Sequence, residues 1–396
     1  MPRLVGALVL AMLAACAPAP AAPTTPAPAS ASLPSPAAAT AAPAAPSSAT
    51  TSTPTATDAT HPHFAVLVTG VFDLKPVPRY EVSIIDRDGN VAARASAATR
   101  PVREIALPAV SVSRTRVYFI DGESQLRSLN VDGTQGPVRP LRVGPEDQAA
   151  VAVSPDDRRI AVTLLHWGPN RSPPQAYVED LDGGGNHRDL NVPAGRMMWP
   201  VGWRGDQIVF GLDGRNYGWP AGLCPGCAYQ PRGYMVFDPA TGGLQAVICA
   251  YGEPGDIVRN ATPVGILCID NRTTFPYIVT ATFGWDGREV RSWLTADGRS
   301  YAATRGVLSP SGRTIANMGL FPDEPGGMYL IDERGRRSSG LEGEPSGWIG
   351  EDRVVFRPKS DVNVSAIFDL ATQSVVRIGV SGTMVATIPG GYDPTP

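Results

Sequence analysis

Ala150–Asn186 reads AVAVSPDDRRIAVTLLHWGPNRSPPQAYVEDLDGGGN, and its punctuation decides the fold. An apolar run ends in Ser154-Pro155-Asp156-Asp157, and a second apolar run follows it. Beyond the stretch His166–Pro174, a third run ends in Asp180-Leu181-Asp182-Gly183. Short β-branched and aromatic runs bounded by Ser, Asp, Pro and Gly read as strands joined by turns. The Asp caps a tight turn and the Gly takes the positive φ that such a turn demands.

The third run and its turn recur along the chain. They appear as Glu81–Val91 (EVSIIDRDGNV), Gln125–Gln135 (QLRSLNVDGTQ), Gly233–Leu244 (GYMVFDPATGGL), Val290–Ser300 (VRSWLTADGRS), Gly327–Arg337 (GMYLIDERGRR) and Val364–Val375 (VSAIFDLATQSV). The first two runs recur as Ala109–Ile120 (AVSVSRTRVYFI) and Arg305–Met318 (RGVLSPSGRTIANM). Looser copies are Pro200–Phe210 (PVGWRGDQIVF) and Ser346–Phe356 (SGWIGEDRVVF). Together the two phrases make a four-stranded antiparallel unit. Such a unit cannot bury both faces alone, so the repeats are expected to stack as the blades of an all-β propeller. Seven hairpins predict seven blades, with six and eight as the alternatives. The first unit has only three strands, and a surplus strand, Thr383–Ile388, is expected to join it and close the ring, removing exposed edges.

The turns Ser154-Pro155-Asp156-Asp157 and Ser309-Pro310-Ser311-Gly312, each followed by Arg and an apolar strand, resemble the TolB-type, WD-like propeller repeat. The resemblance implies the fold and leaves function open. TolB carries an additional domain ahead of its propeller; this chain has a low-complexity tract there, so a Tol–Pal role is not implied.

Residues 1–15 read as a signal peptide: Arg3, an apolar run from Leu4 to Leu13, then small residues. Leu13-Ala14-Ala15-Cys16 resembles a bacterial lipobox, in which Cys16 would carry the lipid; the alternative is an ordinary leader cleaved near Ala22. Residues 16–61 hold mainly Ala, Pro, Ser and Thr, with no aromatic residue, and are expected to form a disordered stalk. The propeller is assigned to 62–396. The expected address is the cell envelope, with the membrane reached only through the lipid, either outside the cytoplasmic membrane or in the outer membrane. A net charge of −3 gives no reason to expect a nucleic-acid partner.

In a propeller the second-to-third strand connections lie on one face and the tight turns on the other. The long connections are read as Val71–Arg79, His166–Pro174, Asp213–Arg232, Gly284–Arg288, Gly319–Gly326 and Arg357–Asn363. Their rings, chiefly Trp167, Tyr217, Trp219, Trp285 and Phe321, make the candidate binding surface for a protein, peptide or glycan, the competing role being to pack their own loops. Trp199, Trp203, Trp293 and Trp348 sit in strand patterns and are expected in the core. No catalytic motif is legible and no cofactor is expected. The rival reading is a glycan-directed enzyme with Asp213, Asp286 and Asp323 at the channel mouth.

Cys224-Pro225-Gly226-Cys227 lies in the longest loop, with Cys249 and Cys268 beyond it. Disulfides are expected for an exported chain, either as a local Cys224–Cys227 bridge, with Cys249 and Cys268 joined or free, or crossed between the pairs. A four-Cys zinc site would lack a second CxxC, so no metal is assigned. His61, His63, His166 and His187 make no pair at ligand spacing within the fold.

Overall fold

The computed structural model describes residues 63–70, 78–100, 107–167, 173–183, 185–193, 196–216, 233–249, 261–270, 279–293, 306–318, 326–361 and 363–390. Their regular structure is all strand, without a helix. The first sheet holds β1 (Phe64–Thr69), β2 (Arg79–Ile85) and β3 (Val91–Ala98). The second holds β4 (Val110–Val112), β5 (Arg116–Asp121), β6 (Gln125–Asn130) and β7 (Gln135–Pro140). The third holds β8 (Asp147–Val153), β9 (Arg159–His166), β10 (Gln175–Asp180) and β11 (Arg188–Asp189). The fourth holds β12 (Arg196–Arg204), β13 (Gln207–Asn216), β14 (Gly233–Asp238) and β15 (Gly243–Ile248). The fifth holds β16 (Ala261–Thr262), β17 (Gly265–Asp270), β18 (Val279–Phe283) and β19 (Glu289–Trp293). A seven-stranded ladder then runs through β20 (Val307–Leu308), β21 (Ile315–Met318), β22 (Gly327–Asp332), β23 (Gly335–Ile349), β24 (Arg353–Pro358), β25 (Ala366–Asp369) and β26 (Val375–Arg377). Last, β27 (Thr383–Ile388) returns to the first sheet and pairs antiparallel with β1, making five four-stranded sheets among the described residues.

These sheets are the blades of a β-propeller, because the alternating side chains of each bury against the next. Val82 and Ile84 of the first pack with Val117 and Phe119 of the second. Tyr118 and Ile120 pack on Val151 and Ile160 of the third, and Ala161 and Val178 pack on Trp203 and Phe210 of the fourth. Tyr234 and Val236 meet Ile266 and Cys268 of the fifth, whose Leu267 and Trp293 meet Leu308 and Ile331. Ile349 and Val355 close on Ala65 and Leu67 of the first. The inner strands β27, β4, β8 and β12 lie beside one another in that order, and β23 lies beside β27.

The long strand β23 changes partner partway. Gly335 to Glu342 pairs with β22, and Gly343 to Ile349 pairs with β24. Trp199, Trp203, Trp293 and Trp348 are all buried, as their strand pattern leads one to expect.

The outer strands would be open edges, but turns of neighbouring sheets cover several of them. The β2–β3 turn seats Gly89 (φ 83°) so close to β26 that a Cβ there would lie 2.9 Å from Val376. The β18–β19 turn lays Gly287 (φ 79°) against the Val247 carbonyl of β15, where a Cβ would lie 3.2 Å away.

One connection differs from the sequence reading. A hairpin turn lies across Gly284–Arg288, where the amide of Gly284 bonds to Arg288 O at 2.8 Å and that of Gly287 to Gly284 O at 2.9 Å; the turn expected within Val290–Ser300 lies outside the described residues. Gly284–Arg288 is therefore a third-to-fourth strand turn and not a long connection. Trp-Asp-Gly at 285–287 is the capped turn, and Glu289–Trp293 is its return strand.

Candidate functional site

Register places the first candidate group. Antiparallel pairing counted outward from the Ser154 turn sets Val153 opposite Ile160 and, at the far ends of β8 and β9, Asp147 opposite His166. Asp147 Oδ1 lies 2.9 Å from His166 Nδ1, and Glu146 Oε2 lies 3.5 Å from Nε2, so the half-exposed imidazole sits between two carboxylates. Next to it, the Trp167 amide donates to Glu146 O at 2.9 Å. Its indole N–H donates to Gln148 Oε1 at 3.2 Å, giving a partner to an amide that is buried in the inner strand. The Trp167 ring rests on Leu107, Ala150, Leu165, Met197 and Trp199 and stays half-buried.

Arg100 is buried beside the same inner strand. Its Nη2 donates to Leu107 O at 2.7 Å and Pro108 O at 3.3 Å, and its Nη1 donates to Ala149 O, next to Gln148. Burial pulls the guanidinium down to about 10, opposed by the nearby Tyr80. An oriented imidazole, two carboxylates and an aromatic ring thus surround the start of β8, at the end of the sheet where second-to-third connections lie. This arrangement offers hydrogen-bond acceptors, an imidazole and a flat apolar surface.

The opposite face is built differently, because its polar groups cap turns or join sheets. Ser154 Oγ accepts from the Arg159 amide at 2.8 Å and donates to Asp156 at 2.6 Å, and Ser309 Oγ accepts from the Thr314 amide at 3.2 Å. Asp157 accepts from Tyr118 and Thr115 of the preceding sheet, both at 2.8 Å. Asp206 pairs with Arg159 at 2.5 Å, and Glu351 accepts from Ser311 Oγ at 2.6 Å. At the seam of the ring Arg87 pairs with Asp352 at 2.5 Å and Arg353 with Asp88 at 3.0 Å.

The predicted site residues fare unevenly. Trp167 is at the expected face. Trp285 is a correction: it is 6% exposed, packs with Ile248, Ile266 and Cys268, and donates to Thr262 O at 3.0 Å. Its turn belongs to the opposite face, so its ring is core. Asp286 is a correction for the same reason; it caps its own turn by accepting from the Arg288 amide at 3.0 Å. Asp213 lies in β13, toward the end of that strand away from its tight turn with β12. Cys16, Tyr217, Trp219, Cys224, Cys227, Phe321 and Asp323 lie outside the described residues. Cys249 and Cys268 are joined as a disulfide with Cα atoms 5.9 Å apart, which sets the crossed pairing aside. Among the described residues no His, Cys, Asp or Glu cluster is placed to hold a metal.

Sequence reasoning missed Glu146, Asp147, Gln148 and Arg100. The first three were within reach, by counting outward from the Ser154 turn; nothing local marked Arg100 as buried. It also missed a second group, where Arg139 of β7 lies 2.5 Å from Glu179 of β10 and His187 Nδ1 lies 3.0 Å from the same carboxylate.

No protein-family model and no curated protein matches the chain. Among solved structures it is similar to TolB from Acinetobacter baumannii, with 14% identity over 83% of this chain and 67% of that one, at a TM-score of 0.38. It is also similar to dipeptidyl peptidase 4 of Porphyromonas gingivalis (10% identity, 79% and 50% covered, TM-score 0.44). A third is a puromycin-hydrolyzing peptidase from Mycobacterium tuberculosis (14% identity, 78% and 52% covered, TM-score 0.47). The chain spans about half the length of the two peptidases. At these identities the likeness concerns the fold alone, and neither peptidase activity passes to this chain.

Proposed function

We propose that this chain is a lipid-anchored, extracytoplasmic propeller of seven blades that binds a protein, peptide or glycan without catalysis, at the face bearing its second-to-third connections. The observation that carries the binding reading is the contrast between the two faces. One spends its polar side chains on turn caps and inter-sheet pairs. The other presents the Glu146–Asp147–His166 group and the Trp167 ring at the rim of an inner strand. Half-buried aromatic rings beside oriented polar groups suit recognition, since a ring held in place loses little entropy on binding.

The blade count rests on the change of partner within β23, which splits the seven-stranded ladder into two blades sharing one long strand. The envelope address rests on residues 1–15, on Cys16 as the lipidated residue and on residues 16–61 as the stalk. The Cys249–Cys268 disulfide suits the oxidising side of a membrane. Trp219, Tyr217 and Phe321 belong to this binding face by sequence position.

The test is capture by the mature chain on arrays of envelope glycans and of peptides. Trp167→Ala and His166→Ala, checked for an unchanged fold, are expected to lower capture at least tenfold, as loss of a binding anchor does. Asp238→Ala, in a turn of the opposite face, is expected to leave it unchanged. Capture that follows Asp238 and ignores Trp167 and His166 overturns the reading.

A further inference from the structure

Burying a guanidinium is costly unless its donors are used. Arg100 is 9% exposed, and among the described residues it bonds to carbonyls and to no carboxylate. Its root and its head lie in different sheets. The Thr99 amide donates to Pro78 O at 3.0 Å, which keeps the root beside the first sheet. The head reaches the second sheet through Leu107 O at 2.7 Å and Pro108 O at 3.3 Å, just before β4, and the third through Ala149 O on β8. Leu107 and Pro108 belong to no strand, so their carbonyls have no ladder to join, and a buried carbonyl needs a donor. The planar fork of one arginine supplies it and ties the same point to β8.

Both tied segments support Trp167. Ala149 follows Gln148, whose Oε1 accepts the indole N–H at 3.2 Å. Leu107 belongs to the buried cluster, with Ala150, Leu165, Met197 and Trp199, against which the ring packs. The ring therefore has its polar partner on one segment and part of its apolar seat on the other. The β8–β9 ladder fixes Gln148 opposite Leu165, but Leu107 lies outside every ladder. Its distance from Gln148 thus depends on the fork and on side-chain packing.

We infer that Arg100 is a positioning residue of the binding face: by holding Leu107 and the Gln148 segment at one spacing, it fixes the pose of the Trp167 ring. Its weight for function rests on the reading of Trp167 as a ligand anchor, whereas its effect on the ring does not. Arg100→Lys keeps the charge, but an ammonium on a flexible stem is a point and does not impose the spacing of a fork. A ring released from one pose must be ordered by its ligand, which weakens binding.

The test measures the ring without any ligand. In the whole folded protein, NMR relaxation of the indole N–H groups gives an order parameter for each tryptophan. Trp203, whose N–H also bonds to the third sheet at Ala152 O, is the internal control. In Arg100→Lys, and in Arg100→Leu where it folds, the Trp167 value is expected to fall from the rigid range of about 0.85 toward about 0.6, with Trp203 unchanged. A Trp167 value that stays at the parent's in Arg100→Lys overturns the inference. So does an equal fall at Trp203, which would mean that Arg100 stabilises the fold at large. On the arrays, the glycan or peptide that the parent captures most tightly is expected to bind Arg100→Lys several times more weakly. Unchanged capture beside a loosened ring overturns the positioning role, whereas a parent that captures nothing overturns the binding reading and leaves the effect on the ring standing.

Discussion

Trp203 and Trp348 each turn an indole N–H onto a backbone carbonyl at 2.9 Å, Trp203 onto Ala152 O of the third sheet and Trp348 onto Val307 O of β20. A ring buried this way acts as filler and as a bolt. Trp203→Phe is expected to cost about 1–3 kcal/mol, mostly from leaving the Ala152 carbonyl buried without a donor, and chemical denaturation would measure it. Trp285 carries the sharper test. As a core ring bonded to Thr262, its replacement by Ala should cost about 3–5 kcal/mol while folded protein keeps its ligand; a loss under about 1 kcal/mol would return the ring to the surface. The sequence misled at this position because Trp285 stands between Gly284 and Asp286, which looks like loop. The same residues form an Asp-Gly turn, and the Thr-Ala-Asp-Gly at 295–298 drew the reading away from it. The turn caps also make a pH prediction. The Thr372 amide, against a smaller opposing effect of burial, holds Asp369 below its ordinary 3.8. A carboxylate lowered on folding stabilises the fold above its unfolded value and loses that contribution as pH falls through its folded one. Stability should thus decline below about pH 4, and Asp369→Asn should flatten part of that decline in melts taken across the acid range.

Strand identity was the most legible feature at the scale of elements, because period-two burial and capped turns repeat along the chain. β1 and β27 appear where the pattern put them, and Ser154 and Ser309 act as turn caps. The functional group was legible only through register: neither Asp147 nor His166 stands out alone, and pairing brings them together across 19 residues. Arg139, Glu179 and His187 were beyond reach, since that contact crosses two sheets whose relative position no local signal encodes. The disulfide acts at this same scale. Cys249 follows the outer strand of the fourth sheet and Cys268 lies within β17 of the fifth, so the bond staples neighbouring sheets across a connection 19 residues long. Closing a loop of that size restricts the unfolded chain by about 3 kcal/mol. Cys249→Ala with Cys268→Ala should lose roughly that much stability in denaturant titrations without changing the strand content. If the double variant is as stable as the parent, the staple is incidental.

A ring differs from a row of sheets in having no free end, and here the chain's own last strand removes the end. β1 has β2 on one side and β27 on the other, so the first sheet is built from both ends of the fold. β27 adds more than hydrogen bonds. Ile388 joins the cluster between the first and second sheets, Met384 joins the one between the last ladder and the first sheet, and Gly390 N bonds at 2.8 Å to Ser113 O, just past the next inner strand. Seam contacts on the capped-turn face, Arg87–Asp352 and Arg353–Asp88, depend on the same closure. Ending the chain before Thr383 should therefore remove an inner strand, two hydrophobic contacts and the support beneath two ion pairs together. It would also bare the edge of β1, whose residues from Ala65 to Val68 are buried in the intact ring. An apolar edge of that kind pairs with other chains, so the truncated protein should aggregate on purification and lose its single cooperative melt. Substituting only the surface pair, Arg87→Ala, should cost about 1 kcal/mol or less, since both partners are substantially exposed. The contrast separates closure by a strand from closure by charges. A truncated chain that stays monodisperse and melts like the parent would mean that the ring is held by its other contacts and that β27 is an appendage.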